Sequence, residues 1–201
     1  MTELTDINMT SDLYDDKKYG LKIGVDNPEI AFYLPNAPLM PNFNSALYSG
    51  ICLNLEHQVN VDIGADVDIE KVIELNGNHW RKIFTIMAKI TVSDDKPESW
   101  RNHRNQVLSV NGSGLKTILH IKSEKLCSNA KIHIICGQQA FDDLSRIEPL
   151  AHLNDNQTVT VLGDKQKIMA HKQILIAPYL DYRQFPNQLI SELRQYIKSF
   201  V

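Results

Sequence analysis

The stretch LKTILHIKSEKLCSNAKIHIICG, Leu115 to Gly137, decides the predicted fold because apolar and polar side chains alternate on both sides of a polar turn. Such alternation is typical of β-strands, and the turn between the two arms predicts an antiparallel hairpin. In a symmetric hairpin with Lys122 opposite Lys131, the register also sets His120 opposite His133. One face then carries these four polar side chains. The other face is filled by Leu119, Ile121, Ile132 and Ile134.

The polar face of this hairpin allows three interpretations. In the first, His120 and His133 act as general acid and base on a phosphodiester while a lysine stabilises the developing charge, as in a metal-independent ribonuclease. In the second, the two imidazoles hold a transition metal, although the region supplies no clear third ligand. In the third, the face is solvated or covered by a partner. We favour the third, because a residue pattern without known geometry does not establish catalysis.

Other segments predict further short strands. LKIGVD and EIAFYL, residues 21–26 and 29–34, each predict one strand, and residues 46–64 predict one or two. WRKIFTIMAKITV, residues 80–92, predicts a strand through its β-branched residues and its alternating apolar positions. Residues 157–178 predict a second hairpin that turns near a Gly-Asp pair.

Three segments predict helices. Residues 185–201 carry one apolar stripe at helical spacing, and residues 141–149 suit one or two turns. DVDIEKVIELNG, residues 66–77, fits either a helix with an aspartate cap or a hairpin that turns at its Asn-Gly pair, and we favour the helix. The chain is therefore predicted to be α+β: a mostly antiparallel sheet, as a sandwich or open barrel, with a C-terminal amphipathic helix packed on it.

Composition places the chain among ordinary globular proteins. Its 201 residues are 43% hydrophobic and 22% charged, which suits one domain over residues 20–201 after a weakly ordered acidic arm at residues 1–19. No signal peptide and no apolar run long enough to cross a membrane is evident. Cys52, Cys127 and Cys136 form no C-x-x-C pair, which favours reduced thiols. We expect a soluble cytoplasmic protein with no membrane contact, metal or cofactor.

Charge is distributed unevenly along the chain. Residues 1–76 hold 4 basic and 13 acidic side chains, a net of −9, whereas residues 77–201 hold 17 and 11, a net of +6. One explanation is that the acidic part folds against the basic part, or meets it in a neighbouring subunit. The other is that the basic part contacts an anionic partner.

A polar stretch at residues 93–114 is predicted to be a long loop, because Pro97, a polar run and two glycines interrupt the apolar pattern. Within it, Trp100 stands among arginine, asparagine and histidine. This aromatic residue either stacks on a partner or folds back onto the core.

Together these features favour a non-enzymatic binding protein, an accessory subunit in a homo- or hetero-oligomer. Its partner is expected to be the backbone of a nucleic acid or an acidic protein surface. The predicted surface comprises Trp100, Arg101, His103 and Arg104 from the loop and Lys116, His120, Lys122, Lys131 and His133 from the hairpin. The alternative is the metal-independent ribonuclease with His120 and His133 as its catalytic pair.

Overall fold

The computed structural model describes residues 20–41, 60–65, 67–94, 96–145 and 159–201. Its strands are β1 (Gly20–Gly24), β2 (Ile30–Leu34), β3 (Asn60–Gly64), β4 (Thr117–Ile121), β5 (Ile132–Cys136), β6 (Thr160–Leu162), β7 (Ile168–His171) and β8 (Ile174–Ala177). Its helices are α1 (Ile69–Asn76), α2 (Asn78–Thr91), α3 (Pro97–Arg104), α4 (Gln138–Ser145) and α5 (Asn187–Ile197). The predictions for the arm at residues 1–19, for a strand within residues 46–59 and for Cys52 and Pro149 lie outside the described residues.

The described strands form one open, mixed sheet in the order β3-β1-β4-β2-β5-β8-β7-β6. At its centre β4, β2, β5 and β8 run parallel, while β1 and β7 flank them in the opposite direction. The predicted α+β class with a C-terminal helix is confirmed. The sheet is mixed rather than purely antiparallel, because long crossover connections allow neighbouring strands to run the same way.

The predicted hairpin between β4 and β5 is wrong. β2 lies between these two strands and is parallel to both, so Lys122 does not face Lys131 and His120 does not face His133. Instead, His120 pairs with Tyr33 of β2. All five residues of β2 are buried, and a strand buried on both faces is typical of the centre of a parallel sheet. Alternation within β4 and β5 identified them as strands but carried no information about their neighbour.

The segment predicted as a strand at residues 80–92 is helix α2. Its residues Ile83 to Ala88 are all buried, because the helix packs against the sheet and also against α3 and α5. A helix buried on several sides carries apolar residues at nearly every position, which resembles a buried strand. Its length of 14 residues exceeds that of an ordinary strand.

Other helix boundaries follow local signals. Helix α1 is present as favoured, with the Asp68 side chain accepting a hydrogen bond from the Lys71 amide at 3.1 Å and Gly77 after its last residue. The predicted loop at residues 93–114 is partly wrong, since it contains α3 with Pro97 at its first position. Helix α4 begins at Gln138, ahead of the predicted start at Phe141.

Helices cover both faces of the sheet. The larger core lies between one face and helices α1, α2 and α5, and the stripe predicted for α5 is buried there at Leu189, Ile190, Leu193 and Ile197. On the opposite face, a smaller apolar cluster packs under α4 and under the crossover segment 122–131 that joins β4 to β5. The predicted hairpin of β6 and β7 is confirmed. None of the helices in the described residues has the length and apolar character needed to cross a membrane.

Candidate binding surface

Helix α3 presents most of the predicted loop residues at the surface. Arg101 is exposed, and Trp100 and Arg104 are half-buried, whereas His103 is only 1% exposed. The helix forms here because Pro97 suits its first turn and three basic residues in its last turn favour its negative end. The same helix therefore turns one side chain inward and leaves three at the surface.

Two cations contact the ring of Trp100. Nζ of Lys89, from α2, lies 4.8 Å from the ring centre, and the guanidinium carbon of Arg101 lies at the same distance. Nζ of Lys89 also lies 4.9 Å from the centre of the Tyr182 ring and donates to the Asn187 side chain at 3.0 Å. We call Lys89, Trp100, Arg101, Arg104 and Tyr182 the basic aromatic patch.

Electrostatics at the patch favours an anion. Burial lowers the pKa of Lys89, and the charge of Arg101 lowers it further. Burial raises the pKa of Tyr182, which a hydrogen bond with Thr85 and the charge of Arg104 partly oppose. Across the described ranges of the chain, no carboxylate forms an ion pair with Lys89, Arg101 or Arg104. Like charges are thus held side by side without a described counter-charge.

The segment from Tyr179 to Asn187 builds this patch by following α2. Along it, Tyr179 bonds His79, and Asp181 pairs with Lys82 at 2.8 Å. These contacts carry Tyr182 to Lys89. The sequence interpretation missed Lys89 and Tyr182, although a helical interpretation of α2 would have placed Lys82 and Lys89 on one face at seven-residue spacing.

His103 has a structural position beneath the loop that follows α3. Its Nε2 bonds the Thr91 hydroxyl at 2.9 Å, and a Cβ on Gly114 would lie only 2.6 Å from the same nitrogen. Burial, and next the charge of Lys116, lower the pKa of His103 to about 4. Lys116 donates its ammonium protons to the carbonyls of Val110 and Gly112. Both residues are therefore engaged in holding this loop.

His120 and His133 lie on the α4 face of the sheet with Tyr33 between them. The Tyr33 ring stacks on His120 at 5.4 Å, and its hydroxyl lies 2.9 Å from Nδ1 of His133. The amide of Cys127, in the crossover segment, donates to the same hydroxyl at 2.8 Å. Burial lowers the pKa of His133 to about 4, so this imidazole is neutral near pH 7. The ribonuclease alternative gains nothing from this geometry, because a general acid at neutral pH requires a protonated partner.

Lys122 and Lys131 lie at opposite edges of the sheet. Because β4 and β5 run in the same direction, Lys122 follows the carboxyl end of one strand and Lys131 precedes the amino end of the other. A five-residue strand spans about 16 Å, so the two lysines cannot share one small ligand. The structure therefore brings together Trp100, Arg101 and Arg104 and separates them from the residues predicted on the hairpin.

Comparisons with known proteins give one match. A family model described as "Family of unknown function (DUF6942)" matches residues 21–198. No curated protein and no solved structure matches the chain significantly.

Proposed function

The chain belongs to DUF6942, a family of unknown function, and from the geometry above we propose that it is a non-enzymatic accessory subunit. In this proposal the basic aromatic patch binds an acidic segment of a partner protein. The observation that carries the proposal is the placement of Lys89 and Arg101 over one ring, Trp100. An anion that approaches the ring interacts with both cations at once.

The repulsion between these cations supports a binding role. Lys89 and Arg101 would separate in water, but their contacts with Trp100 keep them together at a partly buried site. Each hydrogen bond from a charged donor to a carboxylate contributes about 1.5–3 kcal/mol when water is excluded. A partner carboxylate therefore removes a local repulsion and gains two charge-assisted contacts.

The residue types favour a protein partner over a nucleic acid. Tryptophan, tyrosine and arginine dominate the energetics of protein interfaces, and the patch contains all three at Trp100, Tyr182 and Arg101. Bound cations also occupy the Trp100 ring, which leaves it less available for stacking on a base. The chain as a whole carries a net charge of −3, unlike the strongly basic domains that bind nucleic-acid backbones.

A binding titration tests the proposal. A fluorescently labelled, short glutamate-rich peptide is titrated with the full chain, and anisotropy reports binding. We expect Trp100→Ala and Arg101→Ala each to weaken binding about tenfold, which corresponds to ~1.4 kcal/mol.

The matched control is Lys125→Ala. This exposed lysine lies in the crossover segment on the α4 side of the sheet, so its removal should leave the affinity unchanged. Equal losses in Lys125→Ala and Arg101→Ala would mean that the peptide responds only to net charge. Tighter binding of oligothymidylate than of the peptide would favour a nucleic acid and overturn the proposed partner.

A further inference from the structure

The carboxyl ends of β4, β2, β5 and β8 all lie at one edge of the sheet, because these strands are parallel. The chain leaves neighbouring strands on opposite faces there. After β2 it joins the α1 side, where the backbone of Leu39 bonds the Asn76 side chain at 2.7 and 2.8 Å. After β5 it enters α4 on the other face. In open α/β sheets, such divergence creates the crevice in which ligands bind.

Polar side chains from three segments meet at this edge. The Tyr179 hydroxyl, which follows β8, lies 2.9 Å from Nε2 of His79, and the two rings stack with centres 5.6 Å apart. The Asn36 side chain, which follows β2, also bonds Tyr179. Gly137, which follows β5, allows the tyrosine ring to approach, since a Cβ there would lie 3.3 Å from it.

These contacts fix the direction of the hydrogen bonds. Burial raises the pKa of Tyr179 to about 12, so its hydroxyl keeps its proton. Asn36 can donate to that oxygen through its amide, and the hydroxyl then donates to Nε2 of His79. A neutral histidine whose Nε2 accepts carries its proton on Nδ1. His79 is an exposed residue, so this N–H is available to a ligand.

Two lysines add positive charge to the same edge. Lys122 directly follows β4, and its amide donates to the carbonyl of Leu34 at 3.0 Å. It adopts φ 52, which is rare for a residue with a side chain and is often found at functional sites. Lys82 lies three residues after His79 on α2 and pairs with Asp181. The edge thus offers a fixed N–H donor beside cations.

We propose that this edge is a second binding site, for a small ligand that carries an oxyanion, either a carboxylate or a phosphate. One oxygen of the ligand accepts the Nδ1 proton of His79, which Tyr179 and Asn36 orient from below. Lys122 supplies charge from the neighbouring strand end. This site shares no residue with the basic aromatic patch and does not depend on the function proposed for it.

Nitrogen-detected NMR of the full chain tests the site, because ring-nitrogen shifts report which nitrogen of a histidine holds the proton. At about pH 8, where histidines are ordinarily neutral, we expect His79 in the Nδ1-protonated form. Titration with inorganic phosphate, and separately with acetate, should move the His79 signals to saturation, and the anion that saturates at lower concentration identifies the ligand class. A proton on Nε2, or signals that neither anion moves, would overturn the proposal.

Variants separate positioning from general anion binding. Tyr179→Phe removes the hydroxyl that orients His79 and should weaken the anion about tenfold. Tyr196→Phe is the control, because its hydroxyl bonds the carbonyl of Lys172 at 3.0 Å, away from this edge, and should have no effect. His79→Ala changes an exposed side chain, so it leaves the fold intact and should abolish the response of the remaining edge signals. Unchanged anion affinity in both Tyr179→Phe and His79→Ala would overturn the proposal, and Arg101→Ala should leave the titration unaffected whatever its effect on peptide binding.

Discussion

Nζ of Lys89 lies 4.8 Å from the centre of the Trp100 ring, although the lysine belongs to α2 and the tryptophan to α3. The contact joins two helices that sequence patterns alone do not pair. It also brings Lys89 close enough to Arg101 for the second charge to lower the pKa of the first. A contact of this kind serves binding more than folding, because it adds repulsion to the free protein.

Arg101→Ala should separate these two roles. The substitution removes a cation–π contact worth about 0.5–1 kcal/mol but also removes the repulsion with Lys89. We therefore expect the free energy of unfolding in urea to change by less than about 0.5 kcal/mol, while affinity for the glutamate-rich peptide falls about tenfold. A parallel loss of stability above about 1 kcal/mol would instead identify Arg101 as a structural residue.

Stability should depend on pH through two buried histidines. The pKa values of His103 and His133 are about 4 in the folded protein, whereas an unfolded histidine has a pKa near 6.5. Between these values the unfolded chain binds more protons, so the free energy of unfolding rises with pH from about 4 to 6.5 and falls on acidification. We expect a loss of about 2 kcal/mol per histidine between neutral pH and about pH 4, allowing for the partial exposure of His133.

Urea unfolding at a series of pH values measures this effect. His103→Asn keeps a side chain that can bond Thr91 but does not titrate, so it should reduce the slope of stability against pH by about half. A wild-type curve that is flat across this range would mean that these imidazoles are not buried as described.

Gly24→Ala should test the pairing of β1 with β4. Gly24 has φ +129, and a Cβ there would lie 2.5 Å from the carbonyl oxygen of Thr117 and 2.9 Å from the Cα of Ile118. Both contacts are with backbone atoms, so the clash requires the strands to move apart. We expect a loss of at least about 3 kcal/mol in urea unfolding.

The control for this substitution is Gly77→Ala. Gly77 also has a positive φ, +69, but nothing lies within 4 Å of the added carbon. Backbone strain alone costs about 1–2 kcal/mol. If the two variants lose equal stability, β1 does not approach β4 as closely as the register between them requires.

Tyr33→Phe should loosen the crossover segment between β4 and β5. The substitution removes the hydroxyl that accepts from the Cys127 amide at 2.8 Å and contacts His133. Leaving these groups unpaired in a half-buried site costs about 1–3 kcal/mol. Hydrogen exchange measured by NMR should show faster exchange of the Cys127 amide, with little change at Leu189 in the opposite core layer. Unchanged exchange at Cys127 would contradict the position of β2 between the two strands.

The sequence predicts those elements whose signals are local. The Asp68 cap and the Gly77 end define α1, the apolar stripe defines α5, and the turn between β6 and β7 lies within one short segment. The pairing of β4 with β5 failed because strand alternation specifies which residues share a face but not which strand lies beside them. Nothing within residues 115–137 indicates that residues 30–34 insert between its two arms.

The candidate surface was predicted in part for the same reason. Trp100, Arg101 and Arg104 lie within one turn-length segment, so their shared exposure follows from the local sequence. Lys89 and Tyr182 join them only because α2 is a helix and because residues 179–187 run along it. Helix α2 is buried on several sides, so its apolar content conceals the helical spacing of its charged residues.

The most direct test of acidic-segment binding uses the two tryptophan indole N–H signals of the full chain in a proton–nitrogen NMR spectrum. Trp80 is 3% exposed and serves as an internal control, while Trp100 lies in the basic aromatic patch. On titration with the glutamate-rich peptide, we predict that the Trp100 signal moves to saturation and that the Trp80 signal stays in place. A Trp100 signal that does not respond to the peptide, or that responds only to oligothymidylate, would contradict the proposal that this patch binds an acidic protein segment.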